Sequence, residues 1–345
     1  MRHARATPPG TPPDDTRPRV AIVLCSYRGE RHLGTQLDSI AGQSWPFSLH
    51  VHDDASDDGT VALARAHAAV DRVVAHAGNV GYVANFERGI AEALADGFDY
   101  VALSDQDDVW EADRLARGMR LMLETERRAG AAVPVLVHSD LAVIDEHGAL
   151  VHPSYLACRG YALDDEPDLA LVLGQNGVMG NTCLFNRALA ELALPFPPGL
   201  HVHDWWLALL GELHGRRRFE PDATVRYRLH ATNASNPAGS VEPGALAVLG
   251  RLSLARLLAR DFRLPFKEDT RAIVLRELLD GDARRGPRER EARRLIERFV
   301  DYLTLARPRA SLFVTLLRHG FLRRGLRHRA RVALALLTSA RYGSG

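Results

Sequence analysis

The chain has 345 residues, 46% of them hydrophobic, 25% charged and 7% aromatic. That balance excludes a wholly disordered, collagen-like or polytopic membrane protein, and the length suits two domains or one large domain with an appendage. The net charge of +1 conceals a split: residues 1–250 carry 21 Arg and no Lys against 33 Asp plus Glu, residues 251–345 carry 23 Lys plus Arg against 10 Asp plus Glu.

Residues 1–18, rich in Pro, Thr and Arg, read as a disordered leader with no apolar segment of the kind a secretory signal needs. RVAIVLCS (19–26) is a continuous apolar run, as a buried parallel strand requires. Leu33, Leu37 and Ile40 have helical spacing, and SLHVHDD (48–54) alternates like a strand. A helix follows from Asp58 to about Ala69, then a strand at 72–76, a helix from Val83 to Ala95 and a strand at 100–105. The spacing of Leu115, Met119 and Met122 predicts a helix from Trp110 to Arg128. Strands alternating with helices imply an α/β fold with an open, mostly parallel sheet. Beyond it, 133–140, 178–186 and 223–229 read as strands, and Pro167–Leu173 and Asp204–Leu213 as short helices. After a turn-rich linker at 231–245 come four helical stretches: Ala247–Leu258, Thr270–Leu279, Arg288–Leu303 and Ser311–Thr338. Three cysteines without CxxC spacing fit neither a disulfide framework nor a zinc finger, and suggest a reducing compartment.

Ligands of open α/β sheets bind beyond the carboxyl ends of the strands. The first strand is followed by Ser26-Tyr27-Arg28-Gly29-Glu30, the second by DDASDDGT (53–60) and the fourth by DQDD (105–108). No GxGxxG follows the first strand and no P-loop is present anywhere. Two acidic clusters in one crevice would repel an anion unless a hard cation intervenes, and carboxylates are the preferred ligands of Mg²⁺ and Mn²⁺. A nucleoside diphosphate bound through such a metal meets both demands. For any single acid of 53–58 a turn or N-cap role is an equal alternative.

VHDDASDDGT and SDQDDVW resemble the DDxSxDGT and DXD segments of glycosyltransferase family 2, the second in the form typical of bacterial rhamnosyltransferase-like members. HDWW (203–206) and YRLHATN (227–233) are similar to two later segments of that subgroup, in the same order. The resemblance covers about residues 19–235 and implies a GT-A fold, with 236–345 a basic helical region. It implies an inverting, metal-dependent transfer of a hexose or deoxyhexose, rhamnose being a candidate, in cell-surface polysaccharide synthesis. The donor would be a nucleoside diphosphate sugar and the acceptor a saccharide or lipid-linked glycan. Asp204 is then the base, and Asp107, Asp105 and His230 are candidate metal ligands. Ser26, Tyr27, Glu30, Asp53, Asp54, Asn79, Gly81, Asp105 and Arg228 are the candidate donor-binding residues, Arg228 because a guanidinium matches phosphate oxygens. Asp204 as a helix cap and His230 as a structural residue stay open as alternatives.

Past Asp301 nine arginines follow and no acid. Interleaved with Leu312, Leu316, Leu322 and Leu326 they read as a basic amphipathic surface for anionic membrane, placing a cytoplasmic enzyme peripherally on the inner face. A solvated helical cap is the alternative. Nucleic acid is not an expected partner, since no recognised module accompanies the charge. Two rival functions are a nucleotidyltransferase, which usually has a basic Gly-rich loop after the first strand, and a non-catalytic glycan- or lipid-binding scaffold.

Overall fold

The computed structural model describes residues 18–161, 163–230, 270–281, 287–303, 309–318 and 321. The first strand sets the architecture. All seven residues of β1 (Val20–Ser26) are buried. Because side chains alternate along a strand, Val20, Ile22 and Leu24 enter one core while Ala21, Val23 and Cys25 enter another. A strand apolar on both faces must lie inside a sheet covered on both sides.

β1 pairs in parallel with β2 (Ser48–Asp53) and with β4 (Tyr100–Ser104), and β3 (Arg72–Ala75) pairs in parallel with β2. On one face α1 (Leu33–Ala41) packs Leu33, Leu37 and Ile40 with Met119 and Met122 of α4 (Arg114–Ala129). α2 (Thr60–Ala66) adds Ala64 to the same core. On the other face α3 (Tyr82–Ala95) inserts Phe86 and Ile90. The chain turns outward from β1 to β3 and then returns to place β4 on the opposite flank. The crevice beyond the ends of β1 and β4 is therefore a topological switch point.

Past β4 the sheet becomes mixed. β8 (Leu184–Asn186) runs antiparallel to both β4 and β6 (Val135–Ile144). β9 (Arg216–Arg228) lies parallel to β6, and β5 (Val109–Trp110) antiparallel to β9. The order is β3-β2-β1-β4-β8-β6-β9-β5, with β7 (Leu150–His152) on β6. The expected parallel pairing thus holds throughout β1 to β4 and again between β6 and β9, while β5, β7 and β8 run antiparallel to their partners. Trp110, expected in a helix, pairs with Val225 instead, so α4 begins four residues later. Of the strand expected at 178–186 only Leu184–Asn186 forms; Gly180–Thr182 is a 3₁₀ turn, whose Asn181 turns inward to the acidic loop. α5 (Tyr155–Arg159) and α7 (Arg187–Ala193) are additional short helices, N-capped by Ser154 and Asn186.

α6 (Leu169–Gln175) and α8 (His203–His214) share the core of α3 and α7. α8 buries every residue from Trp205 to Gly211, and its indoles donate to the carbonyls of Val172 and Ala193 at 3.2 and 3.1 Å. The C-terminal helices α9 (Thr270–Gly281), α10 (Pro287–Leu303) and α11 (Arg309–Arg318) complete this face. Ala272, Leu275, Phe299, Leu303, Leu316 and Phe321 join the same core. The approach is close: a Cβ on Gly174 of α6 would stand 2.3 Å from the Phe321 carbonyl oxygen. Arg290, Arg293 and Arg294 face solvent on the far side of α10. The leader up to residue 17, the helix expected at Ala247–Leu258 and the distal part of Ser311–Thr338 lie outside the described residues. Among the described residues no helix is long and apolar enough to cross a membrane.

Candidate active site

The ends of β1, β2 and β4 bring three loops together. Asp53, fully buried, accepts from Ser26 Oγ at 2.8 Å and from the Ser56 amide and hydroxyl at 2.8 and 2.7 Å. Asp54 accepts from the Val80 and Gly81 amides at 2.6 and 2.9 Å, while the Asn79 side-chain amide donates to the Asp54 carbonyl at 3.3 Å. These carboxylates fix the loops that shape the crevice, an engagement the turn alternative allows. Glu30, at the rim, accepts from the Gly59 amide at 3.0 Å. Asp58 accepts from both the amide and the hydroxyl of Thr60, opening α2. Tyr27 is 41% exposed.

Gln106 joins the first loop to the acidic loop. Its Oε1 accepts from the Tyr27 amide at 2.9 Å and its Nε2 donates to the Tyr27 carbonyl at 3.0 Å. Gly29 leaves room for it, since a Cβ there would lie 2.1 Å from Gln106 Oε1 and displace that amide. Gln106 is the variable letter of an acidic motif, so nothing in the sequence marks it.

The acidic loop divides its labour. Asp108 is buried and accepts from Asn181 Nδ2 at 2.5 Å and the Arg228 amide at 3.1 Å. Burial and the neighbouring Asp107 and Asp105 push its pKa well up. Asp107 Oδ2 lies 2.8 Å from His230 Nε2, and the His230 ring sits against His32 at 5.3 Å. The Arg228 guanidinium, expected on a phosphate, donates to the carbonyls of Asp107, Asp145 and Glu146 at 2.9, 3.4 and 3.1 Å, bracing the loop against the β6–β7 turn. Beneath the loop Arg114 lies 3.5 Å over the Trp110 ring and donates to the Asn181 carbonyl at 2.7 Å.

Asp105 is different. Desolvation, then the charges of Asp107 and Asp204, push its pKa up, and no donor among the described residues reaches its carboxylate. The Asp107–His230 pair, with the Asp105 carboxylate within electrostatic reach, offers oxygen and imidazole donors of the kind a divalent cation takes. Among the described residues no group of three or more His, Cys, Asp or Glu is drawn together as a finished metal cage. Magnesium-type ions held by one or two carboxylates plus substrate phosphates need none.

Asp204 enters from the opposite side, in the first turn of α8. It does not cap the helix: Val202 occupies that position. Its Oδ1 accepts from Asn176 Nδ2 at 2.9 Å and its Oδ2 from the Gly180 amide at 3.0 Å. Burial raises its pKa to about 6, against the opposing pull of these donors. Asn176, in the left-handed region just after α6, carries no sequence signal of this role. His203 is buried, stacked on Phe86 at 4.4 Å, and held neutral by desolvation with a pKa of about 4. The three cysteines are unpaired, and burial pushes the Cys25 and Cys183 thiols well up, so neither is an activated nucleophile.

Residues 21–150 match the family model "Glycosyl transferase family 2". EpsE of Bacillus subtilis (strain 168) is 29% identical over 142 residues, 40% of this chain and 49% of EpsE. The chain thus spans about half the length, or less, of the curated relatives it matches. Among solved structures, S. aureus TarS 1–349 in complex with UDP-GlcNAc superposes with a TM-score of 0.51 at 15% identity, covering 94% of this chain and 93% of that one. A mannosyltransferase from Pyrobaculum calidifontis, in complex with GDP-Man and Mn²⁺, gives 0.51 at 18% identity, covering 93% and 81%. At these identities the likeness is one of fold, the GT-A arrangement.

Proposed function

Since residues 21–150 match the model of glycosyl transferase family 2, we propose that the chain transfers a sugar from a nucleoside diphosphate to a saccharide or lipid-linked acceptor, with inversion. The observation that carries this reading is the meeting of Asp204 with the acidic loop. Asp105 and Asp204, far apart in sequence, are close enough for the charge of Asp204 to raise the pKa of Asp105.

Asp204 takes the proton of the acceptor hydroxyl as its oxygen attacks the anomeric carbon, and the bond from that carbon to the diphosphate breaks. A carboxylate with a pKa of about 6 is ionised at neutral pH yet basic enough to serve. Mg²⁺ or Mn²⁺, held by Asp107 and Asp105 with His230 as a third candidate ligand, would offset the charge on the departing diphosphate. Tyr27 offers an exposed ring to the nucleobase, and Glu30 a rim carboxylate to base or ribose. Asn79 and Gly81, held by Asp54, border the donor. Rhamnose is the sugar the SDQDDVW form favours, as a step in cell-surface polysaccharide synthesis.

UDP, GDP and dTDP should be screened by thermal shift with and without Mn²⁺. One nucleotide is expected to stabilise the protein in a metal-dependent way, by about 2.7 kcal/mol at roughly 100 times its Kd. Asp107→Ala is expected to abolish the metal-dependent part. A full shift in Asp107→Ala would remove that residue from the site.

The basic end supports a cytoplasmic enzyme seated on an anionic membrane surface. Val314 and Leu317 of α11 are 59% and 41% exposed between Arg309 and Arg318. Co-sedimentation with phosphatidylglycerol vesicles is expected at low salt and lost at high salt. Equal recovery with neutral vesicles would refute the electrostatic seat.

A further inference from the structure

Among the described residues, two aromatic side chains are exposed, Tyr27 at 41% and Tyr82 at 47%, and both rim the acidic crevice. Tyr27 stands on the nucleotide side. Tyr82 stands on the side of Asp204: its hydroxyl donates to the His201 carbonyl, in the loop that leads into α8 just before Asp204. His203 meets the Tyr82 ring edge-on, with centroids 6.0 Å apart. Val202, 38% exposed, continues the apolar rim beside it. Burial, then the charges of Asp204 and Asp105, raise the Tyr82 pKa, so the phenol lies within electrostatic reach of both carboxylates. A half-exposed aromatic ring at a cleft rim presents an apolar face with a polar tip to whatever enters the cleft. A pyranose has one face of C–H bonds that packs on such a ring while its hydroxyls reach polar neighbours.

We propose that Tyr82 is the platform on which the acceptor's terminal sugar ring stacks, setting its hydroxyl toward Asp204. This rests on the glycosyl-transfer reading. The ring supplies the contact, and the bond to His201 steadies its angle.

The test uses full-length protein saturated with Mn²⁺ and the nucleoside diphosphate that binds it, probed with the methyl glycosides of rhamnose, glucose, galactose and N-acetylglucosamine. Saturation-transfer NMR is expected to mark the C–H protons of one ring face in at least one glycoside. Tyr82→Phe keeps this signal. Tyr82→Ala weakens the binding about tenfold, equivalent to about 1.4 kcal/mol, which is within the range of an aromatic stacking contact. Nucleotide affinity, measured by calorimetry, stays the same in both variants. Equal saturation in Tyr82→Ala, or none in the wild type, overturns the platform. Weaker binding of the intact nucleotide sugar, but not of the nucleotide, in Tyr82→Ala would put the donor sugar on the ring and overturn the acceptor assignment. Failure of every nucleotide to bind would instead refute the transferase reading itself.

Discussion

Asp204→Asn is expected to lower kcat for sugar transfer by about 10²–10⁴ while leaving nucleotide affinity intact, because the substitution removes the proton acceptor and little else. The amide is nearly isosteric. Its oxygen can keep the Gly180 amide, and its new NH₂ meets Asn176, whose amide can turn to offer the oxygen that is otherwise buried without a partner. Circular dichroism should accompany the kinetics. The pH profile gives an independent check. With a pKa of about 6, Asp204 loses its charge below that pH, so the wild-type rate should fall on the acid side with an inflection near 6. Full transfer by a folded Asp204→Asn protein would sink the assignment.

The second large effect concerns stability without metal. Asp204 has a folded pKa raised from 3.8 to about 6, and Asp105 and Asp108 are also raised. The folded state binds these protons more tightly than the unfolded chain. Their stabilisation is full below the unfolded pKa and is lost as pH rises through the folded values. Buried histidines act in the opposite sense. His52 and His203 are lowered from 6.5 to about 4, and His32, His50 and His138 are lowered as well. They cost stability as pH falls below 6.5, where the unfolded chain binds the proton first. Tm of the metal-free protein should therefore peak near pH 6.5 and fall toward pH 8 as the crevice ionises. A tenfold difference in proton affinity between the folded and unfolded chain corresponds to about 1.4 kcal/mol. Mn²⁺ should raise Tm several degrees at about pH 8 and much less at about pH 5.5, where protons already offset the charge. Equal rises at both pH values, or none at either, would argue against a cation between these carboxylates.

The half of the fold from β1 to β4 was legible because each strand is a short apolar run and each helix has one stripe. The acidic loops were legible because two acidic clusters fall at the ends of strands that face one crevice, although any single acid there can serve a turn. What escaped the sequence was contact across distance. The bonds from Gln106 to Tyr27 and from Asn176 to Asp204 join residues that no periodicity relates. Trp110 precedes the helical stripe of Leu115 and Met119, yet its backbone pairs with Val225. Tertiary pairing outweighed local propensity there. Arg228 looked suited to hold phosphate, but three carbonyls surround its guanidinium. Asp53 and Asp54 are at the expected place, held by hydroxyls and amides in the way a turn role would require.

The shared core of α6, α8, α9 and α10 bears on modularity. The recognisable motifs end near Asn233, which invites the view of a catalytic cassette with an exchangeable tail. Leu275, Phe299 and Leu303 pack in the same core as Trp205 and Trp206, whose helix presents Asp204. The boundary visible in the motifs is therefore not a boundary of the folded unit. Recombination at that point would strip the cover from the helices that hold the base, so the two ends of this chain are expected to be inherited together.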